Sequence, residues 1–320
     1  MASRWLFRLK AVLQLSGLSC EEAYTINLDK PTHRPTALQP PCPCPSTQDR
    51  PKKLSVTEID TLQQNSYNIY AKHVLHLYPL QELDDPHIEA KYGTAIHEAL
   101  KRWYQQPYKN RTEKDLRTYI QQELEAQSLT PDKLILQKPR LEKIIKWLVQ
   151  QNEETTSFTE KSGQISWTMP TERKFTLTTR IDRIDMDAQG QATIIDYKTG
   201  ATCPTASAVQ KQKATQLPLE AIILSKGGVP NLTPSAIDNL SYWHLNGKEA
   251  GGKIISLSQE NIPALLQDTW QVTQDLIHAY ETRPYTVSQP NKKYNDYAYL
   301  ARIQEWNVPT GLEDDTQDDD

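Results

Sequence analysis

The stretch Thr179–Gly200, "TRIDRIDMDAQGQATIIDYKTG", decides the fold. From just upstream of it the chain alternates: Phe175, Leu177 and Ile181 take one face while Thr176, Thr178, Arg180 and Asp182 take the other, the period of a strand with one apolar side. "DAQG", Asp187–Gly190, has Asp first and Gly fourth, which suits a type I turn, and the chain then returns as "QATIIDYK". A β-hairpin is expected. Its second strand ends in an acid and an amine two residues apart, where a buried strand prefers apolar side chains. Asp196 and Lys198 share one face with Ile194, about 6.6 Å apart along the strand, while Ile195 and Tyr197 face the other way. A carboxylate placed there can ligate a divalent ion, and the ammonium can orient a water or stabilise charge developing on a phosphate. The hairpin brings Asp182 or Asp185 towards the same spot. The plainer alternative is a cross-strand ion pair of the kind surface hairpins contain.

Helices surround this hairpin. "SVTEIDTL" offers Ser55 as N-cap with Glu58 three places on, so a helix should run from about Val56 towards Asn65, and a second from Tyr67 towards Leu77. Gly93 opens "GTAIHEALKRWYQ", where Ile96, Leu100 and Trp103 form one apolar face with His97 on its edge. "EKDLRTYIQQELEAQ" and "PRLEKIIKWLVQQNEE" continue the helical block, the latter with Pro139 in its first turn. Beyond the hairpin, a helix is expected at "QLPLEAIILSKGG", stopped at Gly227, then a strand at "NLSYWHLNG" and a helix from Ile262 to Tyr280. The fold class that fits is α/β, a mixed sheet flanked by helices and preceded by a helical block.

Composition limits the function classes. The chain has 320 residues, 37% of them apolar, and a formal charge of -4. "EDDTQDDD", Glu313–Asp320, supplies six acids alone, so the remainder is close to neutral and would bind nucleic acid by a local stripe. No apolar run approaches the roughly 20 residues of a membrane span, so no membrane partner is expected. "MASRWLFRLKAVLQL" reads as a basic amphipathic helix, as on a protein surface or in a transit peptide. The proline-rich segment 30–53 reads as a linker, with Cys42 and Cys44 as linker thiols, after a short N-terminal piece, 1–29. The main domain spans 54–308, and 309–320 forms an acidic tail.

"GTAIHEAL", "TRIDRID", "IIDYKTG" and "QLPLEA" resemble, in order, the G-x-x-x-H, G-x-x-D-R, D-x-K and Q-x-x-x-Y motifs of RecB-like nucleases of the PD-(D/E)XK superfamily, which have a restriction-endonuclease-like fold. With "SRWLFRLKAVL", "YWHLNG" and "YNDYAYLARIQEW", the chain is similar to the C-terminal nuclease part of the AddB family, a subunit of double-strand break repair, in its alphaproteobacterial form. The resemblance implies metal ligation by His97, Asp182, Asp196 and the backbone carbonyl of Tyr197, with Mg²⁺ or Mn²⁺ as the ion. It implies that Lys198 aligns or helps deprotonate the attacking water; Gln216, on one helical face with Glu220, is placed to hold either the DNA backbone or the D-x-K strand, a polar helix-start residue beside Pro218 being the plain alternative. Arg180, Arg183, Lys211 and Lys213 are candidates for phosphate contact, solvated lysines being the plain alternative. Asp182 is preferred to Asp185 because it precedes Arg183; Asp185 is the other candidate ligand unless it pairs with Arg183 or caps a bend where the apolar parity shifts to Ile184 and Met186.

Further implications are 5'-phosphate and 3'-hydroxyl products, single-stranded DNA as substrate, a cytoplasmic, nucleoid-associated setting and an AddA-like helicase-nuclease partner. Residues 1–29 would be the remnant of a helicase-like region encoded separately. Two departures stand out: Thr179 replaces the glycine of G-x-x-D-R, and Glu220 replaces the tyrosine of Q-x-x-x-Y. The cysteines of the family's iron-sulfur cluster have no counterparts, so no cluster is expected. Two other readings remain open: a catalytically silent docking or DNA-binding module, and a stand-alone exonuclease.

Overall fold

The alternation at 174–186 and the apolar run at 191–198 become the central strands of a mixed sheet in the computed structural model, which describes residues 3–18, 38–79, 88–129, 134–135, 137–248, 250–257, 262–288 and 295–306. Two compact units divide the chain, 1–39 with 304–320, and 40–303. The described part of the first unit includes helix α1 (Arg4–Leu15), capped by Ser3 and with no buried side chain. The second unit holds β1 (Lys53–Ser55), α2 (Val56–Gln64), α3 (Ser66–His73), α4 (Ile88–Tyr104), α5 (Glu113–Ala126), α6 (Lys138–Gln150), β2 (Thr156–Thr168), β3 (Lys174–Met186), β4 (Gln191–Lys198), α7 (Ala206–Gln210), α8 (Gln216–Ser225), β5 (Ala236–His244), β6 (Lys253–Ser256) and α9 (Ile262–Ala279). No described helix is long and apolar enough to cross a membrane.

The sheet runs β1-β3-β4-β5-β6, with β2 antiparallel to β3 along its whole length. On its other edge β3 pairs in parallel with β1 at 176–178 and antiparallel with β4 only at 183–186. Between those pairings, at 179–182, that edge of β3 is free of strand partners, and β3 and β4 part like the arms of a fork. β4 and β5 lie side by side in parallel.

Both faces of the sheet are covered. Ile181, Ile184 and Ile194 pack with residues of α2, α3, α8 and α9 on one side, and Ile195, Tyr197 and Trp243 pack with α4, α5 and α6 on the other. β4 is thus buried on both faces, which accounts for its near-continuous apolar run. The arrangement is the expected α/β fold, a mixed sheet flanked by helices, consistent with the restriction-endonuclease-like class.

Several features differ from the sequence reading, among them α3, which ends at His73 and does not reach Leu77. α4 begins at Ile88 and carries Gly93 inside it, because a Cβ at 93 would stand 2.7 Å from Thr199 Oγ1 in the loop after β4. Strands β1, β2 and β6 lack the alternation that marks β3. The second half of segment 30–53 is packed into the second unit: Arg50 is buried, donates to the carbonyls of Tyr280 and Arg283 at 2.7 and 2.8 Å, and stacks over Tyr285, while β1 joins the sheet. Residues 30–37, Cys20 and the acidic tail lie outside the described residues.

Candidate active site

The fork between β3 and β4 gathers the polar side chains. His97, from α4, sets Nδ1 3.3 Å from Asp182 Oδ2, and the same oxygen accepts the Tyr197 N–H at 3.0 Å. The Tyr197 ring meets His97 edge-on at 5.7 Å, which holds the imidazole against the strand. Glu160, on β2, completes a cluster in which one donor atom each from His97, Glu160 and Asp182 lie within 4.8 Å of one another.

Glu160 has a φ of 52° in mid-strand, a left-handed backbone that costs a non-glycine residue energy. Phe158 and Ile165, of opposite parity, both pack towards the same core, as do Ile184 and Ile181 on β3. Both strands therefore switch face at the 160/182 level, and the switch turns the two acids towards His97.

Asp196 reaches the fork from the other face of the sheet. Its Oδ2 lies 2.8 Å from Lys198 Nζ, its Oδ1 accepts Gln216 Nε2 at 2.6 Å, and Lys198 Nζ donates to Gln216 Oε1 at 3.0 Å. Gln216 opens α8, whose first turn is pinned by Asp60: one carboxylate oxygen accepts both the backbone N–H and the hydroxyl of Thr215, at 2.9 and 2.8 Å.

The charges in the fork shift one another. Burial, with the Asp182 carboxylate nearby, lifts the Asp196 carboxyl to about 6 despite Lys198. Glu160 is raised by burial and by Asp182 and Glu98 against the pull of Arg180. Burial opposes charge on both His97 and Asp182, yet their contact wins: His97 is raised and Asp182 lowered. Burial likewise opposes charge on Lys198, and Asp196 raises it. Carboxylates and an imidazole packed at this density form a set of hard oxygen and nitrogen donors, and a divalent cation would offset their repulsion. The residues fit such an ion.

An open groove of about 570 Å³ leads to this cluster, lined by Gly93, His97, Glu160, Arg180, Asp182 and Gly200 among others. It shares Glu89, Thr199 and Gly200 with a neighbouring cavity of about 170 Å³ that reaches Tyr92 and Arg140. Arg180 sits at the rim, paired with Glu160 and 3.6 Å from Glu98.

Of the residues singled out in sequence, His97, Asp182, Asp196, Lys198, Gln216 and Tyr197 converge. Arg183 does not serve as a phosphate contact: it is 2% exposed, stacked over Tyr104 at 3.7 Å and Trp243 at 4.8 Å, and forms a bidentate pair with Asp185. Asp185 is thereby occupied, as its alternative reading held. Lys211 and Lys213 are exposed and are not among the residues lining the groove. Glu160 went unread because no motif carries it; only the β2–β3 register, with Thr159 opposite Arg183 and Lys161 opposite Ile181, puts it beside Asp182.

Among known proteins, an uncharacterised protein of Rickettsia typhi, RT0391, is 26% identical over 212 residues, 59% of this chain and 24% of that protein. The chain thus spans about a quarter of that relative's length. Among solved structures, SSO0001 is similar with a TM-score of 0.29 at 12% identity, covering 69% of this chain and 76% of its own. A candidate exonuclease from Eubacterium rectale is similar with a TM-score of 0.39 at 9% identity, covering 87% and 94%. The profile of the PD-(D/E)XK nuclease superfamily matches residues 53–289, a span that includes every side chain of the fork, and the chain belongs to that superfamily.

Proposed function

We propose that the chain is a Mg²⁺- or Mn²⁺-dependent deoxyribonuclease that cuts single strands, the nuclease part of an AddAB-type helicase-nuclease acting in double-strand break repair. The observation that carries this reading is the meeting of His97, Glu160 and Asp182 with the Asp196–Lys198 pair at one fork, open to a groove. His97, Glu160 and Asp182 would hold the ion, with Asp196 and the Tyr197 carbonyl as the further ligands offered by β4. The bound ion supplies Lewis acidity at the scissile phosphate and lowers the pKa of water. Lys198, held by Gln216, positions the attacking water and stabilises charge on the phosphoryl oxygens. Arg180 at the rim attracts the backbone of the incoming strand. Cleavage leaves a 5'-phosphate and a 3'-hydroxyl, exonucleolytic cutting being favoured.

Membership of a nuclease superfamily supports the hydrolytic part of this reading. The AddAB assignment draws on the motif order "GTAIHEAL", "TRIDRID", "IIDYKTG", "QLPLEA"; its partners would be an AddA-like subunit and a separately encoded helicase-like portion, in a cytoplasmic, nucleoid-associated setting. Incubating an end-labelled single strand with the protein and Mg²⁺ or Mn²⁺ tests it. Cleavage should vanish in Asp196→Asn and fall at least about 100-fold in Lys198→Met; metal-dependent cutting by purified Asp196→Asn at the wild-type rate rejects the assignment. A wild-type protein that binds the strand but never cuts it, alone or with an AddA-like partner, would instead be a docking module.

A further inference from the structure

Glu220 has no part in the scheme above, although it is 1% exposed and lies one helical turn from Gln216. Its Oε1 accepts Gln216 Nε2 at 3.1 Å and the Thr179 hydroxyl at 3.2 Å. Thr179 and Glu220 are the two positions where the sequence departs from the nuclease motifs, and they touch each other where α8 packs on β3.

The hydrogen-bond inventory of Gln216 shows what this contact does. A primary amide has two N–H donors and one carbonyl acceptor. Here the donors are divided between Asp196 Oδ1 and Glu220 Oε1, and the carbonyl takes Lys198 Nζ. Turning the amide over would set its oxygen against the Asp196 carboxylate and the accepting oxygen of Glu220, whose carboxyl burial holds well above its ordinary range, and its NH₂ against an ammonium. Glu220 therefore fixes which way Gln216 points, and Gln216 fixes where the Lys198 amine stands relative to Asp196. Thr179 holds Glu220 in turn, because its hydroxyl donates to the oxygen that faces Gln216.

We infer that Glu220 and Thr179 are positioning residues, a carboxyl-hydroxyl prop that aligns Lys198 and Asp196 through Gln216 for the reaction. The inference rests on the nuclease reading for its effect on rate, and on geometry alone for its effect on Gln216. Both residues are buried and neither is among those lining the groove.

The test is single-turnover cleavage across a mutant cycle, with the Gln216 side-chain amide followed by NMR in ¹⁵N-labelled protein. Glu220→Leu should lower the cleavage rate about 10–100-fold without weakening strand binding, as expected when a reacting group is misplaced by a fraction of an ångström. Glu220→Gln, which keeps an acceptor oxygen towards Gln216 and Thr179, should recover most of the rate. Thr179→Val should slow the reaction alone and add nothing in the Glu220→Leu background. The Gln216 amide protons, both hydrogen-bonded in the wild type, should exchange slowly there and lose that protection in Glu220→Leu.

Wild-type cleavage by Glu220→Leu, or losses in Thr179→Val and Glu220→Leu that simply multiply, would overturn the inference, as would an unchanged Gln216 signal. If Glu220→Leu fails to fold, Thr179→Val with Glu220→Gln decides alone: an unslowed Thr179→Val overturns it, and a slowed Thr179→Val beside an active Glu220→Gln upholds it. If the wild type does not cut DNA, the nuclease reading fails separately and the Gln216 signal still settles the positioning.

Discussion

Asp196 carries a burial cost that its proposed role as a metal ligand would explain. Burial holds its carboxyl near 6 in the folded chain against an ordinary value of 3.8, so above pH 6 the folded state carries an ionised group it disfavours. Asp196→Asn should therefore be more stable than the wild type by about 1–3 kcal/mol at neutral pH. The gap should shrink as pH falls from about 6 towards 3.8 and be absent below that, where the acid is protonated in both states. Thermal melts at several pH values check this; an unchanged or lower melting temperature at pH 8 would mean that Lys198 and Gln216 already compensate the charge. This residue was legible in sequence, since an acid two positions before a lysine at the end of an apolar strand lacks a packing role. Arg183 was not. Its burial depends on rings from Tyr104 and Trp243, which lie far from it in the chain, and an "R" beside a candidate ligand acid carries no mark of which face it takes.

The elements divide by whether their pattern is local. β3, β4, α2, α8 and α9 follow their expected ranges closely because period, caps and stops are all written within each segment. At α2, Glu58 Oε2 accepts the Ser55 N–H at 2.9 Å while Oε1 meets Lys72 at 2.6 Å and His73 at 2.8 Å on α3. Burial acts to raise the Glu58 carboxyl, but these partners hold it well below its ordinary 4.5. Its contribution is complete above pH 4.5 and is lost as pH falls through the depressed value. Glu58→Gln should thus cost about 1–2 kcal/mol at pH 7 and progressively less in acid, as read by urea melts.

β2 escaped because its apolar parity reverses at Glu160, so neither half shows a run long enough to read. The start of α4 escaped because Gly93 looks like a helix boundary, whereas it serves a close approach to Thr199. Gly93→Ala should destabilise by about 1–2 kcal/mol despite alanine's better helix propensity, and Thr199→Ala should restore most of that loss by removing the opposing hydroxyl. Additive losses in the double variant would show that the glycine has another role.

At the scale of the whole molecule, the site exists only when α4, β2, β3 and β4 are assembled. The fork arises because β3 borrows β1 as a partner at one end and β4 at the other, leaving its edge open at 179–182. Fold class and most of the site residues were visible in the motif order, yet the third member of the donor cluster, Glu160, emerges only from strand pairing across more than twenty residues. Ion binding by this cluster, as proposed, would therefore be a property of the folded second unit, with ligands drawn from one helix and two adjacent strands at the least. Calorimetric titration of Mn²⁺ into the wild type and into Asp182→Asn, both shown folded by circular dichroism, tests this directly. The account predicts one saturable site in the wild type and affinity at least about tenfold weaker in Asp182→Asn; equal heats and equal affinity in the two proteins would contradict it.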